Sequence, residues 1–521
     1  MDQIRLIAFI VFSMAVLLLW EFWQKEHAPP PPQQAITKKE VSGKASAPPL
    51  PQNKALESQG RVLVNTDLFT AEIDEQGGDL RKLYFHRYHT RDGQPYVLLS
   101  DEPQKIMVIQ TGFVGDETIP NHKTRFTAQE KHYDLAGKDS ITFTLEAETP
   151  AWKAKKIYTF SKDSYDILLR QTIESKVSTG KPIKGYYQIL RDEHPAPDAS
   201  RFIHSFTGGA YYTPENGFEK LPFKSFKDGL NQEVQSGWVS MLQHYFVTAL
   251  IPSTPHQLYG RTIDTGLYAI GALQPLGALG AGEEKTQEIR IFTGPKLHDL
   301  LKNTAPGLEY TVDYGLLTII AMPLFLVLKF IHGLIPNWGV AIIILTILIK
   351  MVFYPLSRAS YRSMAKMRDL MPRMQRLREE YKDDRIKLQE AMMNLYRTEK
   401  INPLGGCLPV VVQIPVFIAL YWMILESAEM REAPFMAWIH DLSAPDPYFI
   451  LPVLMGISML VQTKLNPAPP DPMQAKVMMF MPLIFTVFFA FFPSGLVLYW
   501  ITNNLISILQ QWHVLRQSQK S

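Results

Sequence analysis

Residues 340–356 make an apolar run long enough to cross a bilayer, and a single charge, Lys350, sits inside it. Such a run spans hydrocarbon only as a helix, because every backbone polar group must be satisfied within the segment. The ammonium adds a second demand, since on insertion scales it costs about 3 kcal/mol. Either the lysine stem snorkels to the head groups, or the residue faces a wet, polar cavity within a helix bundle. With Trp338 at the outer interface and Arg358 at the inner one, Lys350 lies roughly 12 Å of helix rise from Arg358. Its side chain also leans toward the helix N-terminus, away from the inner surface. Position therefore favours the cavity, with snorkelling as its rival.

The chain has 521 residues, and its mean hydropathy of −0.06 averages a polar part with a strongly apolar one. A net charge of +3 is too small to imply nucleic acid as a partner. The one cysteine, Cys407, excludes an intrachain disulfide, and no cysteine near the N-terminus could carry a lipid. Residues 4–20 form a first apolar span, preceded by Arg5 and closed by Leu19, Trp20, Phe22 and Trp23. Without small residues at its exit, it reads as an uncleaved anchor over 1–24 with an aromatic belt, a cleaved signal being the alternative. Residues 25–60, rich in Pro, Gln, Lys, Ala and Ser, hold too little apolar mass for a core and form an extended tether.

Residues 61–305 alternate apolar and polar positions in short runs such as 141–145, 156–160, 167–173 and 288–292, separated by turn residues. This pattern predicts a large antiparallel β-sandwich. His86, His89, His194 and His204 lack metal-ligand spacing and read as surface or structural residues. The glycine-rich 277–282 reads as a loop, because no βαβ unit surrounds it. Residues 306–335, with Pro323 and Lys329, predict an interfacial amphipathic helix over 316–330. Further spans are expected at 340–356, 408–425, 448–461, 477–492 and 496–512, giving six in all.

Loop charge sets the orientation. Residues 358–401 carry Arg358, Arg362, Lys366, Arg368, Arg373, Arg376, Arg378 and more basic residues, and so belong in the cytoplasm. Both termini, including the tail 513–521, then lie inside and the β domain outside. Arg431, in an outer connection, is an isolated exception. The basic segment reads as a helical hairpin turning at Asp383-Asp384. Met364, Met367, Met371, Met374 and Leu377 recur on one arm, and Ile386, Met393 and Tyr396 on the other. Such a stripe serves either as a packing seam or as an adaptable apolar surface. The basic face suits anionic lipid or ribosomal RNA, or is simply a solvated face that sets orientation.

Thr346 stands one helical turn from Lys350, on the same face. Gln413 is expected at similar depth in its own span; Ser458 and Gln462, and Thr502, Asn503 and Asn504, punctuate two others. Each alone suits interhelical hydrogen bonding worth about 0.6 kcal/mol. Beside a lysine with no carboxylate in any span, they point to a hydrated concavity in the inner leaflet, within a core over 336–512.

Tyr354-Pro355-Leu356, the Asn402-Pro-Leu-Gly-Gly-Cys-Leu-Pro409 run, residues 434–442, Asp471-Pro472-Met473-Gln474 and residues 492–499 (FPSGLVLY) occur in the order found in one family. The chain resembles the YidC/Oxa/Alb insertases, and Gly77-Gly78-Asp79 fits them too. The resemblance implies a polytopic α-helical membrane protein of six transmembrane helices, five of them an insertase core, with a periplasmic all-β supersandwich like that of sugar mutarotases. It implies a groove open to cytoplasm and lipid but closed outside, with Lys350 where the family carries its groove cation, usually Arg. Thr346, Gln413, Tyr499, Trp500, Asn503 and Asn504 are the expected groove residues. Lys keeps the charge and loses the bidentate fork. The implied partners are nascent membrane-protein chains, the lipid bilayer, the Sec translocon and the ribosome; no cofactor, metal or DNA is expected. Two rivals stay open: a channel or transporter using Lys350 as an anion site, and a sugar-acting enzyme built on the β domain. The first lacks polar residues in the outer halves of the spans, and the second lacks a paired-carboxylate site.

Overall fold

This computed structural model describes residues 56–90, 92–103, 105–178, 180–196, 205–382, 384–399, 408–466 and 472–518. The expected anchor, the tether up to residue 55, His204, Asp383, 402–407 and Asp471 lie outside them. Residues 61–295 build a ten-stranded and a nine-stranded sheet, antiparallel apart from the pairing of Arg61–Asn65 with His132–Asp134. The four alternating runs read in the sequence become neighbouring strands of the nine-stranded sheet: Ser140–Glu148, Trp152–Ser161, Asp166–Ser175 and Glu284–Pro295. Trp152–Ser161 buries every second residue against the other sheet, as a half-buried strand must. Residues 278–283 form the expected loop between strands.

A polar link crosses the sandwich. Lys156, fully buried on the nine-stranded sheet, donates to the Thr111 hydroxyl (2.6 Å) and carbonyl (2.9 Å) and to the Gly77 carbonyl, with Asp79 at 3.8 Å. Gly77 adopts φ 79°, and a Cβ there would meet the His122 carbonyl at 2.7 Å, so only glycine fits.

The helices are α1 (His298–Thr304), α2 (Thr318–Leu334), α3 (Trp338–Val352), α4 (Tyr354–Glu380), α5 (Arg385–Thr398), α6 (Leu408–Glu426), α7 (Ile450–Leu465), α8 (Pro472–Phe489) and α9 (Ser494–Ser518). The span expected to continue to residue 356 stops at Val352. There α3 and α4 bend by 66°, because Pro355 enters the first turn of α4 and cannot continue the helix before it. Lys350 thus occupies the last turn of α3 rather than its interior, and its separation from Arg358 does not run along one axis. The final helix also overruns the expected end at Trp512, reaching Ser518, since nothing after Gly495 breaks it.

Among the described residues no single helix is long and apolar enough to cross a membrane; α3 with α4 passes only as a bent pair. α9 has the length, but Thr502, Asn503, Asn504, Gln510 and Gln511 dilute its hydropathy. The apolar core continues from the sandwich into the helices as one cluster, from Val62 to Tyr499.

The helical hairpin of α4 and α5 packs through Leu370 and Met374, with Met367, Met371, Met392, Leu395 and Tyr396 around them. Met364 is half-buried at its edge. Of the second arm's expected residues Tyr396 joins this seam, whereas Ile386 and Met393 are 74% and 47% exposed; Met392 and Leu395 pack beside Tyr396 in their stead. Arg373 ties the arms by donating to Glu399 at 2.6 Å, whereas Arg376 is exposed.

Candidate functional site

Lys350 is only 5% exposed. Its Nζ donates to the Ser507 hydroxyl at 2.8 Å and to Gln413 Oε1 at 3.3 Å. Gln413 in turn donates through Nε2 to Asn503 Oδ1, and Ser507 donates to the Asn503 carbonyl at 2.7 Å. Gln510 reaches back to accept the geometry of the helix end, its Nε2 donating to the Lys350 carbonyl at 3.3 Å. Three helices therefore meet in one polar cluster: α3 supplies Lys350, α6 supplies Gln413, and α9 supplies residues 503, 507 and 510. The spacing of those three places them on one face of α9.

The cation lies at a helix C-terminus, where the unsatisfied carbonyls carry partial negative charge. Neutral oxygens complete its coordination; α3, α6 up to residue 425, and α9 contain no Asp or Glu. A hydroxyl and an amide oxygen, rather than a carboxylate, thus hold the buried amine.

The residues predicted from sequence do not all arrive here. Gln413 and Asn503 do. Thr346 is buried on the same helix, but its hydroxyl donates to the Ile342 carbonyl one turn back at 2.7 Å. Asn504, grouped with Lys350 by depth, points elsewhere: its Nδ2 donates to Ser458 Oγ at 2.9 Å on α7. Neighbouring residues on a helix diverge by roughly 100°, so Asn503 and Asn504 cannot serve one site. Gln511, seven residues on from Asn504, joins Asn466 Oδ1 at 3.0 Å, giving α9 a second polar stripe that binds helix to helix. Tyr499 and Trp500 flank Phe417 at ring separations of 6.0 and 4.9 Å, an aromatic wall one to two turns above the polar cluster. The Trp500 indole N–H, though buried, has no hydrogen-bond acceptor among the described residues.

Ser507 and Gln510 were missed, although Asn503, Ser507 and Gln510 follow the spacing of a helical stripe. The cluster is also packed rather than gaping, because lysine finds its partners within the bundle. Among the described residues no group of three or more His, Cys, Asp or Glu could hold a metal.

Profiles of two families match almost the whole chain beyond residue 60. Residues 61–327 match "YidC periplasmic domain" and residues 330–521 match "60Kd inner membrane protein". "Membrane protein insertase YidC" of Methylobacillus flagellatus is 48% identical, with 100% of this chain and 98% of that one covered. The chain belongs to the YidC family of membrane protein insertases. The Cupriavidus necator member is 45% identical over 100% of this chain and 98% of its own. A crystal structure titled as an active YidC insertase with its first transmembrane domain resolved aligns over 89% of this chain and 94% of that one, at 19% identity and a TM-score of 0.41. Membership places this insertase in the inner membrane, with a periplasmic β domain ahead of its helical region, and its activity is membrane insertion rather than catalysis of a covalent reaction.

Proposed function

We propose that the Lys350 cluster receives the polar end or hairpin of a nascent membrane protein from the cytoplasmic side. The segment exchanges water for Lys350, Gln413, Asn503 and Ser507, and its apolar part then leaves sideways into lipid. The observation that carries this reading is a buried ammonium whose hydrogen-bond partners among the described residues are neutral, the Ser507 hydroxyl and Gln413 Oε1. Burial of the guest's apolar helix supplies the free energy, about 0.8 kcal/mol per methylene. The membrane potential adds about 2.3 kcal/mol per negative charge per 100 mV. In this reading the chain spans the membrane six times, counting 4–20, with both termini cytoplasmic. The basic hairpin and the Lys and Arg of the inner loops support that orientation. The hairpin, through Met364, Met367, Met371 and Met374 with Arg373 and Arg376, is where ribosome or anionic lipid would meet the protein, and the Sec translocon is a further partner.

Insertion of a short acidic-tailed substrate into vesicles tests the charge. Lys350→Ala is expected to slow it about tenfold, the loss of one charged hydrogen bond, and Lys350→Glu more, while Lys350→Arg retains activity. Near-normal insertion by both Ala and Glu variants would remove Lys350 from the mechanism.

A further inference from the structure

Arg431, the one basic residue out of place in the charge pattern, lies in the connection from α6 to α7. Its guanidinium sits over three rings of the β domain, those of Tyr96, Tyr245 and Phe246, at 5.0, 5.2 and 5.4 Å. It also donates to the His89 carbonyl at 2.6 Å. The next residue, Glu432, accepts from the His89 backbone N–H at 2.5 Å. Two further bonds reach the same side: His298 N–H donates to Glu429 at 3.0 Å, and His244 Nε2 to the Leu425 carbonyl at 3.0 Å.

The connection these contacts hold is itself the closure of the helical core. Asn337, the N-cap of α3, donates to the Phe435 carbonyl at 2.7 Å. Gly495 N–H at the start of α9 donates to the Leu442 carbonyl, and Ser494 N–H to that of Ala444. Asp446 accepts from Leu451 N–H at 2.7 Å and so caps α7. One segment thereby ties the ends of α3, α6, α7 and α9. It is strained: Glu432, Ala437 and Phe449 hold φ of 53°, 54° and 58°, a region that non-glycine residues occupy at about 1–3 kcal/mol each and keep only when surroundings impose it.

We infer that Arg431 is a positioning residue by which the β domain clamps the α6–α7 connection as a plug over the end of the helical core opposite the hairpin. The β domain then serves insertion from a distance, by keeping that end closed while the Lys350 end admits substrate. A cation over several aromatic faces suits this task. It resists displacement by water better than an exposed ion pair and keeps orientation through its hydrogen bond. The inference rests on the orientation proposed above but not on any role for Lys350, and its readouts are independent of substrate insertion.

The full-length protein in lipid nanodiscs, followed by amide hydrogen exchange, tests it. Arg431→Ala is expected to raise exchange about tenfold across 426–442, the effect of one lost cation–π and hydrogen-bond set. The strands Trp152–Ser161 and Asp166–Ser175 keep their protection, and ion leak through reconstituted vesicles rises in parallel. Arg431→Lys, which keeps a cation over the rings, is expected to retain most of the protection. Unchanged exchange in 426–442, protection lost evenly through the sandwich, or a lysine variant as open as alanine would each overturn the clamp.

Discussion

Single residues show how burial in this chain turns ordinary groups into committed ones. His122 is buried against Tyr186, whose hydroxyl lies 2.5 Å from Nδ1. Desolvation, with Lys123 and Lys156 adding to it, pushes the imidazole down to about 3 from 6.5. The folded protein therefore holds this histidine neutral where the unfolded chain would protonate it. Its contribution is present above pH 6.5 and is lost as pH falls from 6.5 toward 3. Urea titrations of wild type and His122→Gln across that window are expected to show the variant flatter by about 1.4 kcal/mol per pH unit; parallel curves would place the acid sensitivity elsewhere. The sequence marked the histidines only as structural or surface residues. That reading suits His86, which bonds Thr70 Oγ1 at 2.8 Å, but passes over His89, which meets the α6–α7 connection.

At the scale of elements, single residues set the boundaries and the close approaches. The apolar stretch through 340–356 reads as one helix, yet Pro355 divides it, and the bend is what brings Lys350 to a helix end beside α9. Close approach of α7 and α8 has a comparably local cause. A Cβ at Gly456 would fall 2.0 Å from Thr486 Oγ1, and that hydroxyl is held by the Pro482 carbonyl at 2.7 Å. Gly456→Ala is expected to separate the two helices and cost about 1–3 kcal/mol, read as a lower melting temperature in detergent. A variant as stable as wild type would show that Thr486 rotates freely. The β runs were legible because a period of two needs no partner to be seen. The hairpin seam was legible on most of its first arm and at Tyr396 of the second, but not at Met392 and Met393, which are alike in chemistry and differ only in facing.

For the whole molecule, the sandwich and the helices share one apolar core, and the contacts around Arg431 fasten the two parts. Calorimetry of the full chain is expected to show a single coupled transition, and Arg431→Ala to resolve it into two; two transitions in the wild type would mean that the parts fold independently. The order of apolar runs, the alternation over 61–305, the basic hairpin and the ordered motifs determined the division into a β domain followed by helices, and the family, without any tertiary information, because each is a local pattern of period, charge or spacing. Tertiary structure alone decided which polar residues meet. Asn503 joins Gln413 and Ser507, the partners of Lys350, and Asn504 joins α7, although the two are adjacent and identical. Ser507 and Gln510 complete the site, and Arg431 finds its aromatic cage in the β domain, far away in sequence. A helix distributes its residues by about 100° steps, and the neighbour that lies at each angle is set by how the helices cross.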